Sequence, residues 1–147
     1  MHTFLDFLDS IKAPRVAHAH CDIPCGVYET DSMKWAVETC KKLVAKMNDL
    51  QIPAHDDKEH MLDFHNTMIR AVQTKEEFAQ ICKEQILILW TDYFKPEHAA
   101  KWPELHEKIW TATKQCSIVK RTVSMAEVEK LEKMVGEIAE IFAATKK

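Results

Sequence analysis

Thr30 to Leu50 reads TDSMKWAVETCKKLVAKMNDL, and the spacing of its apolar residues decides the fold class. Met33, Val37, Cys40, Val44 and Met47 recur every three or four positions, which stacks them on one face of a helix. Thr30, Asp31 and Ser32 are N-cap candidates, because their side-chain oxygens can accept from the open N–H groups of a first turn. The same period returns downstream. From about Asp57 towards Tyr93 it runs through Met61, Phe64, Met68 and Val72, then Phe78, Ile81, Cys82, Ile88 and Leu89. This stretch is one long helix, or two meeting near Thr74, where Thr74-x-x-Glu77 has the form of a capping box. Pro96 and Pro103 break the chain before Leu105, Ile109, Ala112, Cys116 and Val119 form a third face. A second capping box, Ser124-x-x-Glu127, opens a last helix with Val128, Leu131, Val135, Ile138 and Phe142 inward. Four amphipathic stretches joined by short turns predict an all-α fold, an antiparallel four-helix bundle.

Composition points the same way. A chain of 147 residues, 46% hydrophobic and 29% charged, is one globular domain in size and balance. Two Gly and five Pro are too few to punctuate a many-stranded sandwich or barrel. With 20 basic against 23 acidic residues the net charge is −3, which argues against a nucleic-acid partner. No apolar run approaches the roughly 18 residues that a membrane span needs. The bundle itself carries no recognisable catalytic motif. A di-iron site requires Glu-x-x-His on two helices, and the nearest match is a single Asp57-x-x-His60 in which Asp57 reads as a cap. His55, His60 and His65, five apart, scatter around a helix and read as surface residues.

The five cysteines divide into two groups. Cys40, Cys82 and Cys116 sit within helical patterns beside Leu, Ile or Val and read as core residues. Cys21 and Cys25 lie outside any helix, in His20-Cys21-Asp22-Ile23-Pro24-Cys25-Gly26-Val27-Tyr28. Pro24 restricts that loop and Gly26 lets the chain leave it sharply. Before it, residues 1–19 end in Ala17-His18-Ala19, a small-x-small processing form. Asp6 and Asp9 interrupt the apolar residues there, so the segment lacks the core of an export signal. It reads as an amphipathic helix ending at Pro14, or as a propeptide. The missing export signal makes a cytoplasmic location the expectation.

Spacing alone leaves several chemistries open for the loop. Cys21 and Cys25 suit a dithiol redox switch, or a zinc site with His18 or His20 added. Cleavage after Ala19 would give His20 a free α-amine of pKa about 7.7–8.0. That amine, the Cys21 amide nitrogen and the two thiolates would make a planar N₂S₂ set with the His20 imidazole on the axis. Planar coordination suits Ni(II) or Cu(II), and thiolate donors favour one-electron redox chemistry.

The loop resembles the metal-binding hook of the nickel superoxide dismutase family, matching its H-C-D-x-P-C-G-x-Y pattern at every position. Leu89-Trp90-Thr91-Asp92-Tyr93-Phe94-Lys95-Pro96 is similar to the family's L-W-x-D-Y-F-K-P segment. Lys75-Glu76-Glu77 and Pro103-Glu104-Leu105-His106 fall where members have similar runs. The resemblance implies a precursor cut just before His20, so residues 1–19 are a propeptide and 20–147 the enzyme, with 20–28 the hook and 30–147 the bundle. It implies one nickel per subunit on His20, Cys21 and Cys25, a homohexamer, a maturation protease and a nickel-delivery protein. It also implies that superoxide is dismutated through a Ni(II)/Ni(III) cycle. Asp22, Tyr28 and Tyr93 would order the hook and its water-filled approach, and the bond before Pro24 would be cis. Lys95 is the local cation suited to attract superoxide. Two family positions whose Glu and Arg surround the axial imidazole hold Ala36 and Phe78 here, which leaves Glu38 or Glu77 as candidate orienters of His20.

Overall fold

The computed structural model describes residues 26–146. Five α-helices follow in order: α1 (Asp31–Asp49), α2 (Lys58–Ile88), α3 (Pro96–Lys101), α4 (Leu105–Arg121) and α5 (Met125–Thr145), with a π-helical turn, Leu89–Tyr93, after α2. The four long helices close into a ring in which α1 packs on α2, α2 on α4, α4 on α5 and α5 on α1. This is the expected four-helix bundle, with the short α3 added at the corner that leads from the π turn into α4. No strand occurs among the described residues.

The stretch from Asp57 to Tyr93 proves to be one helix through Thr74, 31 residues and about 46 Å long before the π turn. A capping box in sequence does not stop a helix whose apolar stripe continues across it. The stripe runs along Ala71, Lys75, Ala79, Cys82, Ile86 and Leu89, slightly rotated from the expected line. Phe64, Met68, Val72, Phe78 and Ile81 flank it half-buried, and Ile86 rather than Ile88 reaches the centre. On α1, α4 and α5 the predicted inward residues are buried.

The helix ends differ from expectation in their chemistry. Thr30 is the N-cap of α1 but makes no side-chain capping bond. The Glu29 carboxylate takes that role, accepting from the N–H groups of Asp31 and Ser32 and from Ser32 Oγ at 2.6 Å. These bonds hold its carboxyl below the ordinary range despite partial burial, which pushes the other way. Asp57 caps α2 as expected, accepting from His60 N–H at 3.2 Å and facing His60 Nδ1 at 2.7 Å. Ser124 accepts from Glu127 N–H at 3.4 Å. The box is not reciprocal, because the Glu127 carboxylate is taken by the buried Gln115 amide at 2.6 Å.

Cys40, Cys82 and Cys116 are buried free thiols, as expected for core residues. The Cys40 thiol donates at 3.5 Å to the carbonyl of a residue the periodicity did not single out. Lys75 is 1% exposed, and its ammonium donates to the carbonyls of Val119 and Lys120, the latter at 2.7 Å. These are two of the unpaired carbonyls at the C-terminus of α4, where the helix dipole also favours a cation. Burial pulls the Lys75 pKa down from its ordinary value.

Candidate metal centre and its aromatic corner

Residues His20, Cys21, Asp22 and Cys25, and the expected cis bond before Pro24, lie outside the described residues. The described chain begins at Gly26, in the stretch expected to be the stem of the hook. Gly26 has φ +72°, in the left-handed region. An added Cβ there would meet nothing within 4 Å, so the position needs glycine for its backbone and not for space. This is the sharp exit from the loop that the sequence suggests.

Two residues on, Tyr28 meets Tyr93, with ring centroids 5.4 Å apart and planes inclined at 56°. The two tyrosines that the sequence analysis placed at the site are therefore neighbours, although 65 positions separate them. The π turn sets this meeting. Phe94 N–H bonds to the Leu89 carbonyl at 2.9 Å, a five-residue step that widens the helix by one residue and redirects Tyr93. Tyr93 then packs on Phe142 of α5 at 4.6 Å, on Phe94 at 5.3 Å and, nearly parallel, on His98 of α3 at 5.8 Å.

Hydrogen bonds fix the orientation of these rings. The Thr145 hydroxyl donates to the Phe142 carbonyl at 2.6 Å. Its only proton being used there, it accepts from the Tyr93 phenol, also at 2.6 Å. Tyr93 thus anchors the end of α5 and keeps only acceptor capacity for anything else. His98 Nδ1 accepts from the Lys95 N–H at 3.1 Å, which places the proton of a neutral ring on Nε2. Lys146 donates to the Tyr28 carbonyl at 2.9 Å and lies 4.3 Å over the Phe142 ring.

The other expected residues separate from this corner or stay beside it. Lys95 is exposed at the start of α3. Ala36 is 1% exposed within the core, and Phe78 is half-buried on α2. Glu38 is exposed and ion-pairs with Lys42 at 3.3 Å, and Glu77 is exposed. Phe142 was expected inward on the last helix but not at this site, and His98, Thr145 and Lys146 were not picked out from sequence. Nothing in their local pattern marks a role at the site, since only the meeting of chain segments far apart in sequence gives them a shared neighbour.

Among the described residues, no group of three His, Cys, Asp or Glu side chains is placed to hold a metal. The donor set expected from sequence is His20, Cys21 and Cys25. Its chemistry, two soft thiolates with nitrogen donors, fits a late transition metal such as nickel.

Known proteins similar to this chain are nickel enzymes by name. The family described as nickel-containing superoxide dismutase matches residues 15–146. The superoxide dismutase [Ni] of Streptomyces seoulensis is 38% identical over 141 residues, 95% of this chain and 98% of its own. A solved Ni-containing superoxide dismutase with Ni ligation corresponding to the oxidised state superposes with a TM-score of 0.76 at 34% identity. It covers 86% of this chain and 98% of its own. Another, with Ni ligation corresponding to the state after partial X-ray-induced reduction, gives 0.73 at 35% identity, with the same coverage. A match across nearly the whole chain, from before the hook to the end of α5, places this protein in the nickel-containing superoxide dismutase family.

Proposed function

We propose that this chain dismutates superoxide at a nickel held by a hook at the N-terminus of the processed protein. The family match carries the reading, because it spans the intact His20–Tyr28 stretch together with the Tyr28–Tyr93 pair. His20 would supply its α-amine and imidazole, Cys21 its amide nitrogen and thiolate, and Cys25 its thiolate. A nickel held by these donors would supply a one-electron store between Ni(II) and Ni(III). One superoxide gives up an electron and leaves as O₂, and the next takes that electron with two protons and leaves as H₂O₂. The solved relatives with Ni ligation in an oxidised and a partly reduced state support a ligand set that answers to redox state.

The chain's own residues shape the approach. Tyr28 and Tyr93 stand side by side at the stem, and the Tyr93 phenol, having donated to Thr145, can accept from water on its open side. Asp22 would order the hook, and Lys95, exposed beside this corner, adds positive charge to a protein of net −3. Processing before His20 frees the amine. In support, the solved relatives use nearly all of their own length to cover 86% of this chain, against 95% for the curated relative. A homohexamer with one nickel per subunit, a maturation protease, a nickel-delivery partner and a cytoplasmic location complete the proposal. No helix among the described residues is long and apolar enough to cross a membrane.

The test is nickel retained per chain, after reconstitution with Ni(II) and removal of excess, in protein made to begin at His20. One tightly held nickel is expected, lost in Cys21→Ser and in Cys25→Ser, with superoxide turnover following the metal. The full chain with Ala19 still attached should not turn over, because a peptide nitrogen replaces the amine. Zinc held in place of nickel, or thiols that only oxidise, would overturn the proposal.

A further inference from the structure

We propose that Thr145 and Lys146 are positioning residues for the site, a latch through which the end of α5 sets the placement of both tyrosines. Each bonds to a different tyrosine. Thr145 accepts the Tyr93 phenol proton at 2.6 Å while its own proton is committed to the Phe142 carbonyl. Lys146 donates to the carbonyl of Tyr28 at 2.9 Å, two residues from the left-handed Gly26 that ends the hook loop. Phe142 is the common floor. It lies 4.6 Å from the Tyr93 ring and 4.3 Å from the Lys146 ammonium.

The geometry points to positioning and not to chemistry. Neither residue is a titrating group of the metal-ligand set, and the Lys146 bond goes to a backbone carbonyl, where it fixes the stem and no reacting atom. A charge-assisted bond of this kind is stronger and shorter than a neutral one, and stacking on Phe142 limits the freedom of the lysine before the bond forms. The Tyr93 phenol is held from one side, so its ring cannot swing away from Tyr28 without breaking the bond to Thr145. The stem and the π turn are thereby tied to one short segment of α5.

The kinetic arm of the test rests on the nickel-site reading above, and the structural arm does not. The sequence contains two tyrosines, Tyr28 and Tyr93, so ¹³C-tyrosine labelling of the full chain gives one set of ring signals for each. Thr145→Val should move the Tyr93 signals and Thr145→Ser should leave them in place. Lys146→Met, which keeps the stem over Phe142, should move the Tyr28 signals, and Lys146→Arg should restore them. In nickel-loaded protein beginning at His20, Lys146→Met should lower kcat/KM for superoxide on the order of fivefold. Lys146→Arg should recover most of that loss, and the loss should persist at high ionic strength. Ring signals that do not respond would overturn the latch. So would a kinetic loss that vanishes with salt, since that would make Lys146 a steering charge, and so would unchanged kinetics beside moved signals. If the parent protein neither holds nickel nor turns over superoxide, the proposed function falls while the ring signals still decide the latch.

Discussion

Two places in this bundle bring polar groups into apolar surroundings, and they do so in opposite ways. At the Lys75 layer, a lysine 1% exposed gives its ammonium to two carbonyls of α4, in a core that also holds the buried thiols of Cys40, Cys82 and Cys116. At the Tyr28–Tyr93 corner, two half-buried tyrosines are held by a hydroxyl and a lysine from the end of α5 and by an imidazole from α3. The first arrangement is closed to solvent. The second leaves the Tyr93 phenol able to accept and opens beside the hook stem. A polar group paired inside the core is a structural device, whereas one partly paired at an edge is where chemistry can be placed.

The sharpest way to break this contrast is Lys75→Met. Methionine nearly fills the space but leaves the Val119 and Lys120 carbonyls without a donor, and the expected cost is about 3 kcal/mol in urea unfolding. The tyrosine ring signals should stay where they are. An unchanged midpoint would show that the buried ammonium does no structural work.

A somewhat smaller effect should appear with alkaline pH. Burial pushes the Cys40 thiol from its ordinary 9.0 up to about 11, and a hydrogen bond with Cys116, then burial, push Cys82 up as well. A raised thiol pKa contributes stability that is complete below about pH 9 and lost as pH rises to about 11, because the unfolded chain gives up the proton first. For Cys40 this amounts to roughly 2.5 kcal/mol. Lys75, depressed by burial, works in the opposite direction in the same range. The Lys75→Met background should therefore show the steeper alkaline decline in unfolding free energy, and equal slopes would refute the opposition.

The smallest effect concerns the edge of the corner. Glu29→Ala removes the carboxylate that caps α1 and should cost about 1 kcal/mol, the usual value of an N-cap. Since Glu29 adjoins Tyr28, the Tyr28 ring signals should broaden in this variant while those of Tyr93 do not. A thermal midpoint equal to that of the parent would mean that Thr30 or Ser32 takes over the cap.

The helical layout was legible because apolar spacing is a local property, and α1, α4 and α5 bury the residues their periods pick out. The continuity of α2 through Thr74 was left open for the same reason, since a cap motif and an unbroken stripe compete and packing decides. Lys75 was invisible because lysine reads as surface unless the carbonyls of another helix are known to meet it. Of the site, Tyr28 and Tyr93 were legible through the family resemblance, and the structure brings their rings together. The π turn that aims Tyr93 leaves no residue-type signature in Leu89–Tyr93. Thr145 and Lys146 gain meaning only from partners far along the chain.

That distance has a consequence for the order in which the molecule assembles. Tyr28 and Lys146 stand 118 positions apart, so their contact closes a loop containing almost the whole bundle. Contacts of such long range bring their reward only after the intervening chain has been ordered. The corner is therefore among the last parts to form and among the first to open in local fluctuations, while the Lys75 layer persists. A metal captured at the stem would sense whether folding behind it is complete, and its retention time would report on the closing of the helical ring.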